Sequence, residues 1–247
     1  MKYVYFFIIV LAMFSFTSFS NEKHEEYSLE SVIDSVVSNY NKYYSMSYDM
    51  CAHTKHVGEQ DTIVKTYNCM YYRLDDDILN CCYIYSHGRS GIDEYYYPGR
   101  TIHIINHKLK QIKIIPYEGR DKRTNSREIH QLVYEFGNYF FNIEKLEEMK
   151  TDTSKKVSLT YNEKEFILKQ EREWTNEEYN EKYSTWNELI IDKNSYNIIR
   201  RTTHLDFNGQ IQHCIYDMKN IKYNDFDTFK TSMETKIDSL ESIYEVE

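Results

Sequence analysis

Several side chains could do chemistry, and their spacing decides which reactions or ligands are open to them. Cys51, His53 and His56 bring together a thiol and two imidazoles, which are ligand types of a zinc site. Their spacing fits neither a zinc ribbon nor a helical His-Glu-x-x-His pattern, so separate polar side chains at a strand end are favoured. The acidic run 75–77 lacks the interleaved ligands and the glycine of an EF-hand loop. We therefore predict no metal site.

Catalytic patterns are not encoded either. No serine stands in a Gly-x-Ser-x-Gly elbow. The carboxylate pair Glu147 and Glu148 lies on a charged helical surface, and there is no Cys-x-x-Cys for redox chemistry. We predict no enzyme and no cofactor. The formal net charge of −9 disfavours a nucleic-acid partner, because its phosphates would be repelled.

The five cysteines leave two interpretations open. Their odd number leaves at least one thiol unpaired within a monomer. Cys81 and Cys82 are neighbours in a predicted strand, so they should point to opposite faces. The simplest interpretation is small apolar residues in a sheet. If a disulfide forms, Cys51 and Cys69 on consecutive strands are the possible pair.

The first twenty residues predict export. Lys2 precedes an apolar stretch over 4–14, and the small residues Ser18 and Ser20 stand before a polar segment, as in a signal peptide. We expect cleavage after Ser20, a periplasmic location, and one domain over 21–247 with no stable membrane span. The alternative is an uncleaved N-terminal anchor.

The remaining pattern predicts strands with a few helices. Apolar residues recur at helical spacing over 28–41, 126–136 and 226–244, and a short helical turn is expected over 143–149. The charged stretch 174–183 is predicted to be a loop. Alternation with a period of two predicts strands over 44–50, 62–72, 78–86, 95–105, 109–115, 186–191, 196–205 and 210–218. It also predicts a strand over 157–161 that turns at 162–163 and returns over 166–168.

Three stretches resemble a known family. Residues 41–50, where the first helix enters the first strand, resemble the start of LolA-like proteins. The hairpins over 97–108 and 189–201 are similar to versions found in Bacteroidetes, where such a domain often precedes a thioredoxin-like domain. The resemblance covers residues 28–226. It implies an α+β fold, mainly antiparallel β, in which a curved incomplete β-barrel is wrapped around or lidded by a few helices.

The resemblance also implies a function. In the family, the concave side of the half-barrel accepts lipoprotein acyl chains or another apolar ligand, because an acyl chain in water costs about 0.8 kcal/mol per CH₂. We therefore expect a carrier that holds such a ligand, with an envelope protein as a further partner. A non-enzymatic envelope interaction module with a packed core is the alternative, and a hydrolase ranks third. The candidate cavity residues are Val32, Val36, Tyr48, Met50, Tyr67, Leu132 and Phe136.

Overall fold

The structure is a computed structural model, and it describes residues 27–43, 45–72, 81–88, 91–98, 101–116, 143–176, 181–223 and 226–247. Three helices lie within these residues: α1 (Leu29–Asn41), α2 (Ile143–Thr151) and α3 (Phe226–Glu241). The first six strands are β1 (Ser45–Lys55), β2 (Ile63–Tyr72), β3 (Cys81–Gly88), β4 (Gly91–Tyr97), β5 (Thr101–Asn106) and β6 (Gln111–Pro116). The other six are β7 (Lys156–Tyr161), β8 (Glu165–Asn176), β9 (Glu181–Asp192), β10 (Ile198–Phe207), β11 (Gln210–Tyr223) and β12 (Glu245–Val246).

All described strands join one sheet in the order β12-β6-β5-β4-β3-β2-β1-β11-β10-β9-β8-β7. Every pairing is antiparallel except that of β12 with β6. The terminal strands β12 and β7 do not pair with each other, so the described sheet is an incomplete barrel. The predicted fold class is confirmed.

The two faces of the sheet bury different helices. We call the face that carries Tyr48 and Met50 the inner face, because its residues form one core cluster with α1 and with Leu146 of α2. The opposite face, the outer face, packs α3 through Met233 and Ile237. Strand alternation produces this division, since successive side chains of β1 alternate between buried and half-buried positions.

Helix α1 begins where the sequence predicts. The Ser28 hydroxyl accepts a hydrogen bond from the backbone N–H of Ser31 at 3.1 Å, and the Ser31 hydroxyl accepts one from the N–H of Ser28 at 3.1 Å. This reciprocal capping satisfies donors that a helix start otherwise leaves unpaired. At the other end, the buried hydroxyl of Tyr40 accepts a hydrogen bond from the N–H of Ile198 at 3.1 Å. Helix α1 is thereby anchored to β10.

The structure corrects two predicted elements. The predicted loop over 174–183 is wrong at both ends: β8 continues to Asn176, and β9 begins at Glu181. The ring of Trp174 stacks on that of Tyr183 across the two strands, with centroids 5.2 Å apart, which favours their extension. The helix predicted over 226–244 ends at Glu241, and the chain then forms β12. The helix predicted over 126–136 lies outside the described residues.

The possible disulfide is not formed. Cys51 and Cys69 are both free thiols. In the register of β1 and β2, Cys51 pairs with Thr66, whereas Cys69 pairs with Tyr48. Since residues 48 and 51 differ by an odd number of positions, the two thiols lie on opposite faces. Cys69 is buried on the inner face, where burial raises the pKa of its thiol well above the ordinary value.

Among the described helices, none has both the length and the apolar character that a membrane span requires.

Candidate ligand cavity

Five of the seven candidate cavity residues lie together, but in packed core. Val32 and Val36 of α1 are 1% and 0% exposed. They belong to the same core cluster as Tyr48, Met50 and Tyr67, each of which is 4% exposed or less. None of the five lines the cavity described next. Leu132 and Phe136 lie outside the described residues.

A cavity of about 200 Å³ lies on the inner face beside this core, between α2 and strands β8, β9 and β10. Its apolar wall consists of Leu146 and Met149 from α2 and of Leu189 and Ile198 from the sheet. The other lining residues are Glu148, Lys155, Gln170, Glu171, Arg172, Trp174, Thr185, Asn187 and Arg201. The cavity therefore has apolar and polar sides.

The polar side is built from inward positions of the sheet. Gln170 follows Phe166 and Leu168 in the buried phase of β8 and is itself buried. Asn187 lies directly opposite Gln170 on β9. The Oδ1 atom of Asn187 is buried and has no hydrogen-bond partner among the described residues. A buried acceptor without a partner is costly, so this atom is suited to a donor from a bound molecule.

A β-bulge sets the position of Arg201 in the wall. Ile198 pairs with Ile191 while Arg200 pairs with Ile190, so Ile199 is an extra residue on β10. The bulge reverses the alternation: Arg201, not Arg200, follows Ile198 on the inner face. Arg201 is 3% exposed and lines the cavity.

Its neighbour Arg200 points the other way. The Arg200 side chain is 47% exposed, and its Nε donates a hydrogen bond to Oδ1 of Asp217 at 2.5 Å. Two consecutive arginines thus occupy opposite faces of the sheet. One guanidinium is held in a buried wall, and the other forms an ion pair on the outer face.

A row of stacked aromatic rings extends from the mouth of the cavity. Trp174 stacks on Tyr183, and Tyr183 stacks on Phe207 with centroids 4.8 Å apart, across β8, β9 and β10. The guanidinium of Arg172 lies 5.3 Å from the centroid of a Trp174 ring. Trp174 is 38% exposed although it lines the cavity, so one part of its ring meets solvent. Such a ring offers contact area to a ligand that enters.

Helix α2 covers the cavity and is held by charges at its C-terminal end. The Lys150 ammonium forms ion pairs with Asp34 of α1 and, at 2.5 Å, with Glu147. In the following turn, Oδ2 of Asp152 lies 2.8 Å from Nζ of Lys155, and the Ser154 N–H donates to Oδ1 at 3.0 Å. Bonding to Lys155 and then to Ser154 lowers the pKa of Asp152 to about 2.

The charged groups around the cavity differ in their partners. Lys155 is bound to Asp152, and the Glu171 carboxylate lies 2.6 Å from the Lys169 ammonium. Arg172 and Glu148 are exposed. Among the described charged residues that line the cavity, Arg201 is therefore the one that is deeply buried.

The polar side of this cavity does not follow as a whole from the patterns in the sequence. The inward position of Gln170 is predictable, since it continues the buried alternation of Phe166 and Leu168. The inward position of Arg201 is not, because alternation does not reveal the bulge that turns it inward. The charged composition of 174–183 predicts a loop at Trp174, which lies in β8.

A search against family models finds no match for this chain, and a search of curated proteins finds none either.

The solved structures with a similar fold include three that illustrate the likeness. The first is the lipoprotein LppX from Mycobacterium tuberculosis, with 7% identity over 80% of this chain and 95% of that one, at a TM-score of 0.40. The second is LprF from Mycobacterium bovis, with 7% identity over 78% and 92% and a TM-score of 0.39. The third is a LolA superfamily protein from Nitrosomonas europaea, with 9% identity over 82% and 96% and a TM-score of 0.36. At these TM-scores and identities the likeness concerns the fold alone.

Proposed function

We propose that this protein binds the chain of a lipid-like amphiphile in the cavity between α2 and strands β8, β9 and β10, as a carrier in the periplasm. The observation that carries the proposal is the cavity of about 200 Å³ beside the buried core residues under α1. An apolar cavity of about 150 Å³ suffices for benzene, so this one has room for a segment of an acyl chain.

The walls suit such a ligand. Leu146, Met149, Leu189 and Ile198 provide apolar contact, and each buried CH₂ would contribute about 0.8 kcal/mol. Trp174 lies partly in solvent at the mouth, where the remainder of the chain would leave the cavity. A ligand of this kind is apolar at one end and polar at the other, as the cavity is.

Hydrolysis is less well supported. The described residues that line the cavity include no serine, cysteine or histidine, so they supply neither a Ser–His nor a Cys–His pair. The alternative function, a non-enzymatic interaction module with a packed core, agrees with the packing under α1. It gives the cavity no role.

The periplasmic part of the proposal rests on residues 1–20, which lie outside the described residues. We expect the exported protein to begin at Asn21. An intact-mass measurement of the protein from the periplasmic fraction tests this, and a full-length mass there would contradict it.

Binding can be tested by titrating the protein with a fluorescently labelled fatty acid below its micelle concentration. We expect saturable binding, and we expect Thr185→Trp to abolish it because the new ring occupies the cavity that Thr185 lines. Ser184→Trp is the matched control: Ser184 is the preceding residue of β9 and faces outward. Urea unfolding of both variants checks that they fold. Absence of saturable binding, or equal loss in both folded variants, would refute the proposal.

A further inference from the structure

The geometry points to a head-group subsite for an anion: we infer that Arg201 and Asn187 select amphiphiles whose head group is anionic and also carries an N–H or O–H donor. This inference rests on the proposed function and names the class of ligand that the cavity takes. Two groups define the subsite, the guanidinium of Arg201 and the Oδ1 atom of Asn187, and both residues line the same cavity from adjacent strands.

The first argument is the placement of a charge. Arg201 is 3% exposed, and a charge is costly to bury unless its donors are satisfied. The bulge at Ile199 is what turns this residue inward, and without it Arg200 would share the inner face with Ile198. Bulges of this kind re-aim side chains next to functional sites.

The second argument is the donor geometry of arginine. A guanidinium carries five N–H donors in a planar fork, so it can hold a ligand oxygen in addition to a partner within the protein. Two parallel bonds to a carboxylate or phosphate are the arrangement it forms best.

The third argument is independent of charge. The Oδ1 atom of Asn187 is a buried acceptor without a partner among the described residues. An anionic oxygen cannot satisfy it, since both are acceptors. A head group that offers an anion to Arg201 and an N–H or O–H to Asn187 meets both requirements. N-acyl amino acids have this chemistry, and so do lysophospholipids that keep a free hydroxyl.

The experiment uses fluorescence of Trp174, which lines the cavity. The chain has two tryptophans, and Trp186 lies on the outer face against His204 with ring centroids 5.0 Å apart, so Trp186→Phe leaves Trp174 as the reporter. In this background the protein is titrated at pH 7.5 with N-dodecanoylglycine, N-dodecanoylsarcosine, dodecanoate, dodecanol and dodecyltrimethylammonium. All are kept below their micelle concentrations.

We expect dodecanoate to bind at least about tenfold more tightly than dodecanol, since a hydrogen bond to a charged group contributes about that factor. Dodecyltrimethylammonium should bind most weakly. N-dodecanoylglycine should bind several-fold more tightly than the sarcosine compound, which differs by an N-methyl group in place of the amide hydrogen. Arg201→Gln should remove the preference for the anion, and Arg200→Gln, its matched control on the other face, should keep it.

The outcomes separate this inference from the proposed function. Equal binding of dodecanoate and dodecanol overturns the anion subsite while the carrier proposal stands. Equal binding of the glycine and sarcosine compounds overturns the role of Asn187. Binding of none of the five ligands overturns both proposals. If Arg201→Gln does not fold, the ligand series on the protein with Arg201 intact still decides the question.

Discussion

The inner face of the sheet has two halves, one filled and one partly empty. Under α1, Val32, Ile33 and Val36 are at most 1% exposed and pack with the inward residues of β1 and β2. Under α2, Leu146 is buried, yet a cavity of about 200 Å³ remains above β8, β9 and β10. Both halves belong to the same sheet and use the same alternation of side chains.

The inward residues of the strands account for the difference. Below α1 the strands offer large apolar and aromatic groups such as Met50 and Tyr67. Below α2 they offer Gln170, Asn187 and Arg201, whose polar groups cannot pack against an apolar helix without losing hydrogen bonds. The comparison indicates that polar residues in a buried strand phase can keep part of a core open. The following predictions test it, from the largest expected effect to the smallest.

Two leucines that face each other across β8 and β9 should differ in their contribution to stability. Leu168 is fully buried in the core, and Leu189, its cross-strand partner, lines the cavity. We expect Leu168→Ala to lower the free energy of unfolding by about 2–5 kcal/mol, the usual cost of a void in a packed core. Leu189→Ala should cost about 2 kcal/mol or less, because its surroundings are already partly empty. Urea unfolding midpoints measure both.

An equal loss of stability in the two variants would show that the surroundings of Leu189 are as tightly packed as those of Leu168. A larger cost for Leu189 would reverse the comparison. Since both substitutions remove the same atoms from neighbouring strands, the difference between them is more informative than either value alone.

The junction between the two halves should depend on one hydroxyl. Tyr40 is 4% exposed, and its hydroxyl accepts the N–H of Ile198, next to the bulge that orients Arg201. Burial raises the pKa of Tyr40 well above its ordinary value. Tyr40→Phe leaves a buried N–H unsatisfied and should cost about 1–3 kcal/mol of stability.

The same substitution should also weaken ligand binding, because the bulge loses a contact that fixes it. Tyr43→Phe is the control: the Tyr43 ring stacks on Tyr223 with centroids 4.0 Å apart, and the substitution keeps the ring. We expect its effect on stability to stay within about 0.5 kcal/mol. Unfolding midpoints and fatty-acid titrations on both variants provide the measurement. Equal effects in the two would disprove the role of the Tyr40 hydroxyl.

The sequence predicts the filled half of the molecule better than the open half. The cap at Ser28, the apolar face of α1 and the alternation of β1 follow from local rules, and the structure has all three. The turn at Asn208 and Gly209, with φ angles of 50° and 82°, likewise follows from the tolerance of these two residue types for positive φ. Each of these features depends on residues close together in the chain.

The cavity could not be predicted because its features depend on register. The extra residue Ile199 reverses the face of the sheet to which each later side chain of β10 points. Nothing in the local composition marks this bulge. Trp174 lies in a charged stretch that is typical of a loop, and only its pairing with Tyr183 across β8 and β9 makes it part of the sheet. The candidate residues Val32 and Val36 were indistinguishable in sequence from cavity lining, since core and lining have the same composition.

The smallest expected effect is a pH dependence confined to the turn that ends α2. Hydrogen bonds from Lys155 and Ser154 lower the pKa of Asp152 to about 2, from an ordinary value of 3.8. A carboxyl whose pKa is lowered on folding stabilises the folded state above its unfolded pKa, and this contribution is lost as the pH falls from 3.8 to about 2. Asp152→Asn should therefore lower the unfolding temperature slightly at pH 7, and the difference from the unaltered protein should shrink towards pH 2. Because the group lies at the surface, the effect should be modest and weaker at high salt. A difference that stays constant between pH 4 and pH 2, or an NMR titration of Asp152 with its midpoint at the ordinary value, would remove this turn from the contacts that hold α2 over the cavity.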